Sequence, residues 1–116
     1  MSTSLPKISS GLEARKEGLP AAAFAIVGDA NDPATWKLPH HTRAIFRALK
    51  GRLDIQRTVD WDRMAAAVAA LSPGGFRGRR VEAPAEQLLA AARHLVAHYR
   101  AAGRDRPPTL AEIVGG

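Results

Sequence analysis

Residues 24–41 read FAIVGDANDPATWKLPHH, and the interpretation of this stretch decides the fold. It opens with Phe24, Ala25, Ile26 and Val27, β-prone residues that follow Pro20 and are closed by Gly28-Asp29. That pattern predicts a short extended segment rather than a helix begun by the preceding alanines. Asn31 and Asp32 can bond their own following amides, and Pro33 presets φ, so a turn with one helical turn at 33–36 is expected. Pro39 then pushes Leu38 toward extended geometry. Trp36 and Leu38 are two residues apart, which in an extended chain places them on one face.

Downstream the apolar period changes to that of helices. Thr42 can cap a helix over 43–50 with Ile45, Phe46 and Leu49 on one face and Gly51 as its stop. Leu53 and Ile55 keep the chain against the core. Thr58 or Asp60 caps a second helix over 60–71, whose stripe is Trp61, Met64, Ala65, Val68 and Leu71. Ser72-Pro73-Gly74-Gly75 ends it. Pro84 suits the first turn of the longest helix, 84–102, with Leu88, Leu89, Ala92, Leu95, Val96 and Tyr99 as its stripe and Gly103 just beyond its end. Thr109 and Glu112 have capping-box spacing and start a short terminal helix. The expected fold class is mainly α: a small single-domain three- to four-helix bundle with a short extended N-terminal segment. The expected divisions are a mobile arm at 1–18, a helical domain at 19–103, and a linker with a short helix at 104–116.

The chain has 116 residues, one domain by length. Its apolar fraction of 46% is rich in alanine, so a few large side chains must carry the core. It contains no cysteine, which excludes disulfides, thiolate metal sites and a cysteine nucleophile. No apolar run reaches the roughly 20 residues of a membrane span, and no charged-then-apolar leader opens the chain. A cytoplasmic or virion-associated protein, without membrane contact, is expected. Lys and Arg exceed Asp and Glu by 17 to 11, a net charge of +6. Such a surface suits nucleic acid or an acidic protein, and it also suits solubility alone.

Four histidines raise a metal hypothesis. His94 and His98 stand four apart on one helix, and His40-His41 offers more ligands. On a helical wheel, however, the apolar stripe centres near Leu88 and Tyr99, so His94 points nearly opposite and His98 lies at the edge. No glutamate follows His94 as in an HExxH site. The expectation is solvated histidines, no metal ligand and no cofactor. No serine sits in a G-x-S-x-G elbow and no phosphate-binding glycine loop is present, so no catalytic residue and no enzyme activity are expected. Arg77, Arg79 and Arg80, beside Phe76, form the best nucleic-acid candidate: three guanidiniums for phosphate and one ring for stacking. Arg43, Arg47, Lys50, Arg52 and Arg57 can extend that patch.

The pattern Phe-Ala-x-x-x-Asp-x-x-x-Pro-x-x-Trp-Lys-Leu-Pro, filled by Asp29, Pro33, Trp36, Lys37, Leu38 and Pro39, resembles a short module of tailed-phage and prophage proteins. That module is associated with head-morphogenesis proteins: prohead protease, portal and capsid. In it the W-K-L-P block precedes an alanine-rich helix, a glycine/arginine loop and a helix ending hydrophobic-x-x-His-Tyr. The corresponding parts here are Met64 to Leu71, Gly74 to Arg80, and Leu95 to Tyr99. The resemblance spans Pro20 to Gly103, and the segment Thr42 to Thr58 is additional to the module. It implies a non-enzymatic virion-assembly or accessory module that binds another protein, a phage structural protein for example, with Trp36, Lys37 and Leu38 as the contact residues. The alternative is a small basic protein binding nucleic acid nonspecifically through the Arg77–Arg80 loop. A metal-dependent enzyme is the third reading.

Overall fold

A β-hairpin lies at the centre of the molecule, in a computed structural model that describes residues 16–115. Strand β1, Phe24–Val27, pairs antiparallel with β2, Trp36–Pro39, placing Phe24 opposite Pro39, Ile26 opposite Lys37 and Val27 opposite Trp36. The loop between them is closed by its own side chains. Asp29 accepts from the amide of Asn31 at 2.8 Å, and Asp32 caps the 3-10 turn Pro33–Thr35 by accepting from the amide of Ala34. Four α-helices follow: α1, Ile45–Leu49; α2, Trp61–Leu71; α3, Ala85–Ala101; and α4, Pro108–Val114. Further 3-10 turns occupy Ala21–Ala23 and Ile55–Thr58. None of the helices is long and apolar enough to cross a membrane.

This arrangement corrects the expected helical bundle. Residues 24–27 and 36–39 are not merely extended. They satisfy each other's backbone groups as a two-stranded sheet, and that sheet is a wall on which α2 and α3 pack. One apolar cluster lies against the helices and includes Ile26, Leu38, Met64, Leu71, Leu95 and Leu110. A second lies toward the chain start and contains Leu19, Phe24, Trp36 and Ile45. Trp36 and Leu38 are both buried, alternating with half-buried Lys37 and Pro39, and they pack into different clusters. Leu38 adopts φ +65°, a left-handed conformation uncommon for a residue other than glycine.

The expected boundaries also shift. Residues 1–15 of the proposed arm lie outside the described residues, but Lys16 and Leu19 exchange backbone bonds across a turn, so 16–18 belong to the fold. Helix α4 is no appendage: its Leu110 is fully buried in the main cluster. Its predicted capping box does not form, because Pro107 is the N-cap and Pro108 occupies the first turn. Asp60 caps α2, accepting from the amides of Asp62 and Arg63, and Thr58 is left free for another partner. On α2 the buried face is Met64, Ala67, Val68 and Leu71, with Ala65 exposed.

Candidate metal centre

The hairpin delivers two histidines to the core. The amide of His40 donates to Ala23 O at 3.0 Å, extending the sheet ladder past Pro39, and its carbonyl accepts from the amide of Asp60 at 2.9 Å. His41 bridges Val59, and the amide of Thr42 donates to Thr58 O. The backbone is thus held against both Ala23 and the 58–60 segment as it passes from the sheet to α1, and both rings are buried, with His40 0% and His41 1% exposed. Helix α3 delivers the other two. Its buried face runs through Ala91, Ala92, Leu95 and Val96 to His98, which is 9% exposed. His94, one turn before His98, stands at the solvent edge of that face.

One ring nitrogen from each of His40, His41, His94 and His98 can be chosen so that all four lie within 4.8 Å of one another. Ring centroids of His40 lie 4.5 Å from His41 and 5.1 Å from both His94 and His98. This corrects the expectation of solvated histidines without a metal-ligating set: His98 is buried, and His94, although exposed, has three other imidazoles in reach. The helical wheel gave too much weight to Leu88, Leu89 and Tyr99, which are only half-buried, and too little to Ala91 and Ala92, which are completely buried. Alanine adds little to an apolar stripe, yet it marks where another element approaches most closely. The overlooked signal is Ala91, Leu95 and His98 at helical spacing, on a chain that also carries adjacent histidines after W-K-L-P.

Three rings are oriented by partners on their Nδ1 side. His40 Nδ1 donates at 3.0 Å to Leu38 O, the carbonyl of the left-handed residue itself. His41 Nδ1 donates to the Thr58 hydroxyl at 2.8 Å, and that hydroxyl in turn donates to Ile55 O at 2.8 Å. His98 Nδ1 donates to Gln56 Oε1 at 2.8 Å, while Gln56 Nε2 donates back to the His98 carbonyl at 3.1 Å. With the proton on Nδ1, each ring keeps its Nε2 lone pair for another use, the arrangement that outer partners impose on metal-ligating histidines. His98 Nε2 is buried and has no hydrogen-bond partner among the described residues. An unpartnered buried nitrogen of this kind costs stability unless something binds it.

Burial keeps these rings neutral. It lowers His40 to about 3, with a smaller opposing effect of the Leu38 carbonyl and repulsion from the other three rings. It lowers His41 to about 4, aided by His98 and His94. It lowers His98 to about 4, aided by His94, and it lowers His94 as well. Four neutral imidazoles suit zinc, copper, nickel or iron far better than oxygen-seeking magnesium or calcium. A tetrahedral site with Zn–N of 2.0–2.1 Å has ligand nitrogens about 3.3 Å apart, so the widest pairs here need to close by about 1.5 Å. The residues fit such an ion in type, number, protonation and outer support.

The other sequence candidates are dispersed. Trp36 is completely buried: its Nε1 donates to Asp29 O at 2.9 Å, and its ring lies 5.6 Å from that of Phe24. Leu38 is buried, and half-buried Lys37 donates through Nζ to Glu82 O. The W-K-L block is therefore a structural strand that presents little surface. Arg77, Arg79 and Arg80 are all exposed and make no ion pair among the described residues. Their loop is a tight reversal: Phe76 and Arg79 exchange both backbone bonds across Arg77-Gly78, whose φ values are +53° and +80°. Arg77 packs over the Phe76 ring at 5.1 Å. Gly75 is required beside this turn, because a Cβ there would lie 2.2 Å from the Arg79 carbonyl carbon. No protein-family model, curated protein or solved structure matches the chain.

Proposed function

We propose that this chain is a transition-metal-binding module in which one late first-row dication, held by His40, His41, His94 and His98, staples the β-hairpin to α3. The observation that carries the reading is the convergence of four imidazoles, three of them tied through Nδ1 so that the Nε2 lone pair is left for an ion. The ion serves chiefly to hold the fold. The ligands come from residues 40–41 and 94–98, so binding closes a long loop and ties the sheet to the longest helix. The test is a titration of chelator-stripped protein with zinc. One-to-one binding is expected. At free zinc 100 times the Kd, stability rises by about 2.7 kcal/mol, a gain of about 10 °C or more in Tm for a domain of this size. Absence of stoichiometric binding by zinc, nickel or cobalt refutes the reading.

A second reading, in which the module also docks a protein, is favoured by one feature. Phe76 is 41% exposed at the rim of an open apolar cleft of about 260 Å³ that also includes Leu38, Pro39, Ala66, Ala67 and Ala70. This is the form in which we carry forward the non-enzymatic virion-assembly role implied by the phage-module resemblance, with the contact moved from Trp36 to the cleft. Co-sedimentation with a tailed-phage portal or capsid protein, lost in Phe76→Asp, is the expected result. Binding unaffected by Phe76→Asp removes the cleft from consideration.

A further inference from the structure

The four histidines are not equivalent, and the difference has a chemical consequence that rests on the metal reading above. His40, His41 and His98 are buried, and each is held through Nδ1 by a partner in the protein. His94 is exposed, and its Nδ1 has no hydrogen-bond partner among the described residues. Its Nε2 meets only the Nε2 of His40, at 3.2 Å. His40 has already placed its proton on Nδ1, toward Leu38 O, so its Nε2 can only accept. The metal-free protein must therefore hold His94 with its proton on Nε2, donating to His40. To ligate an ion, His94 must shift that proton to Nδ1 or turn its ring, whereas the other three need do neither. In a solvated ring such a change is fast, and water can serve either nitrogen.

We infer that His94 is an exchangeable ligand: His40, His41 and His98 hold the ion, and the fourth position is shared between His94 and a small monodentate donor from solution. The class of donor is set by the site. It is a neutral nitrogen base or a small anion, since three neutral imidazoles leave the full charge of the dication uncompensated. The opening lies on the solvent edge of α3, where His94 itself stands. A closed structural site shows no such exchange, because all four of its ligands are held by the protein.

Cobalt(II) serves as the probe, since its visible absorption reports coordination without any activity. The wild-type chain is expected to bind one Co²⁺ with the intense bands of a tetrahedral site. His94→Ala should still bind one Co²⁺, more weakly, and added azide or imidazole should shift its bands. His98→Ala should lose stoichiometric binding, and His98→Asn serves in its place if circular dichroism shows the alanine variant unfolded. If the wild type binds no cobalt, the metal reading itself falls. If the wild type binds but His94→Ala fails as fully as the His98 variants, the metal reading stands and the exchangeable position is refuted. Bands of His94→Ala that ignore azide and imidazole refute it as well.

Discussion

Replacing Thr58 by valine probes the outer support of the histidine cluster without touching a ligand. Thr58 is completely buried, and valine has nearly its shape, so packing is preserved. The change deletes the hydroxyl that accepts from His41 Nδ1 at 2.8 Å and donates to Ile55 O at 2.8 Å. Each such bond contributes about 0.5–1.5 kcal/mol net, and a buried imidazole N–H left bare costs about 1–3 kcal/mol. The metal-free protein should lose about 2–3 kcal/mol. The effect on metal is separate. An untethered His41 ring also populates the tautomer with its proton on Nε2, which cannot bind an ion through that atom. Zinc affinity should fall about 10–100-fold, the usual penalty for losing an outer partner of a ligating histidine. Competition against a chromogenic chelator measures the affinity, and urea unfolding of the stripped protein measures the stability. A variant that loses stability yet binds zinc as the wild type does would show that Thr58 only fills space, and the orienting argument would fail.

Three further outcomes are expected. The unfolded chain has histidines near 6.5, whereas burial lowers His40 to about 3 and His41 and His98 to about 4. Between those values the unfolded state binds more protons, so the stability of the metal-free protein is fully present above about pH 6.5 and is lost as pH falls toward 4. A urea midpoint unchanged from pH 7 to pH 4 contradicts neutral burial of the rings. Trp36→Ala should cost about 3–5 kcal/mol, since it empties the second apolar cluster and removes the indole bond to Asp29 O; an unaltered Tm would mean that this cluster holds little of the fold. For the nucleic-acid alternative, changing Arg77, Arg79 and Arg80 together to alanine should reduce the log–log salt slope of duplex binding by about 2–3 with little loss of stability. No retention of DNA or RNA by the wild type at about 50 mM salt would leave the three arginines as a solvated turn.

Much of the local structure was legible because it depends on neighbours in sequence. The extended run at 24–27, the turn at Pro33, the extended Trp36–Pro39, the Asp60 cap and the stops at Gly51 and Gly103 all follow from intrinsic residue chemistry. Helix periodicity located α2 and α3 to within a residue or two. Propensity could not say that the two extended pieces pair with each other, because that is a register between segments, and either piece could equally have lain alone against helices. For the same reason a bundle was expected where a hairpin with four helices forms. Nor could local chemistry foresee the left-handed Leu38, or that Trp36 and Leu38 pack into different clusters, since both depend on what surrounds the strand.

By itself the sequence determined which elements form, that one small core must be shared among few large side chains, and that four imidazoles are available without a single thiolate. Only the tertiary structure decided what those imidazoles face. His40 and His94 are 54 residues apart, and their nitrogens lie 3.2 Å apart. They come together because α3 lays a face of buried alanines against the hairpin, and alanine permits close approach while carrying almost no hydrophobic signal. Thr58 read as a candidate helix cap and Gln56 carried no signal, yet they become the partners of His41 and His98 once the 3-10 turn is seated between hairpin and helix. Periodicity measures how apolar a face is, whereas a metal site depends on which polar groups the folded backbone sets facing one another, and that is a property of the assembled chain.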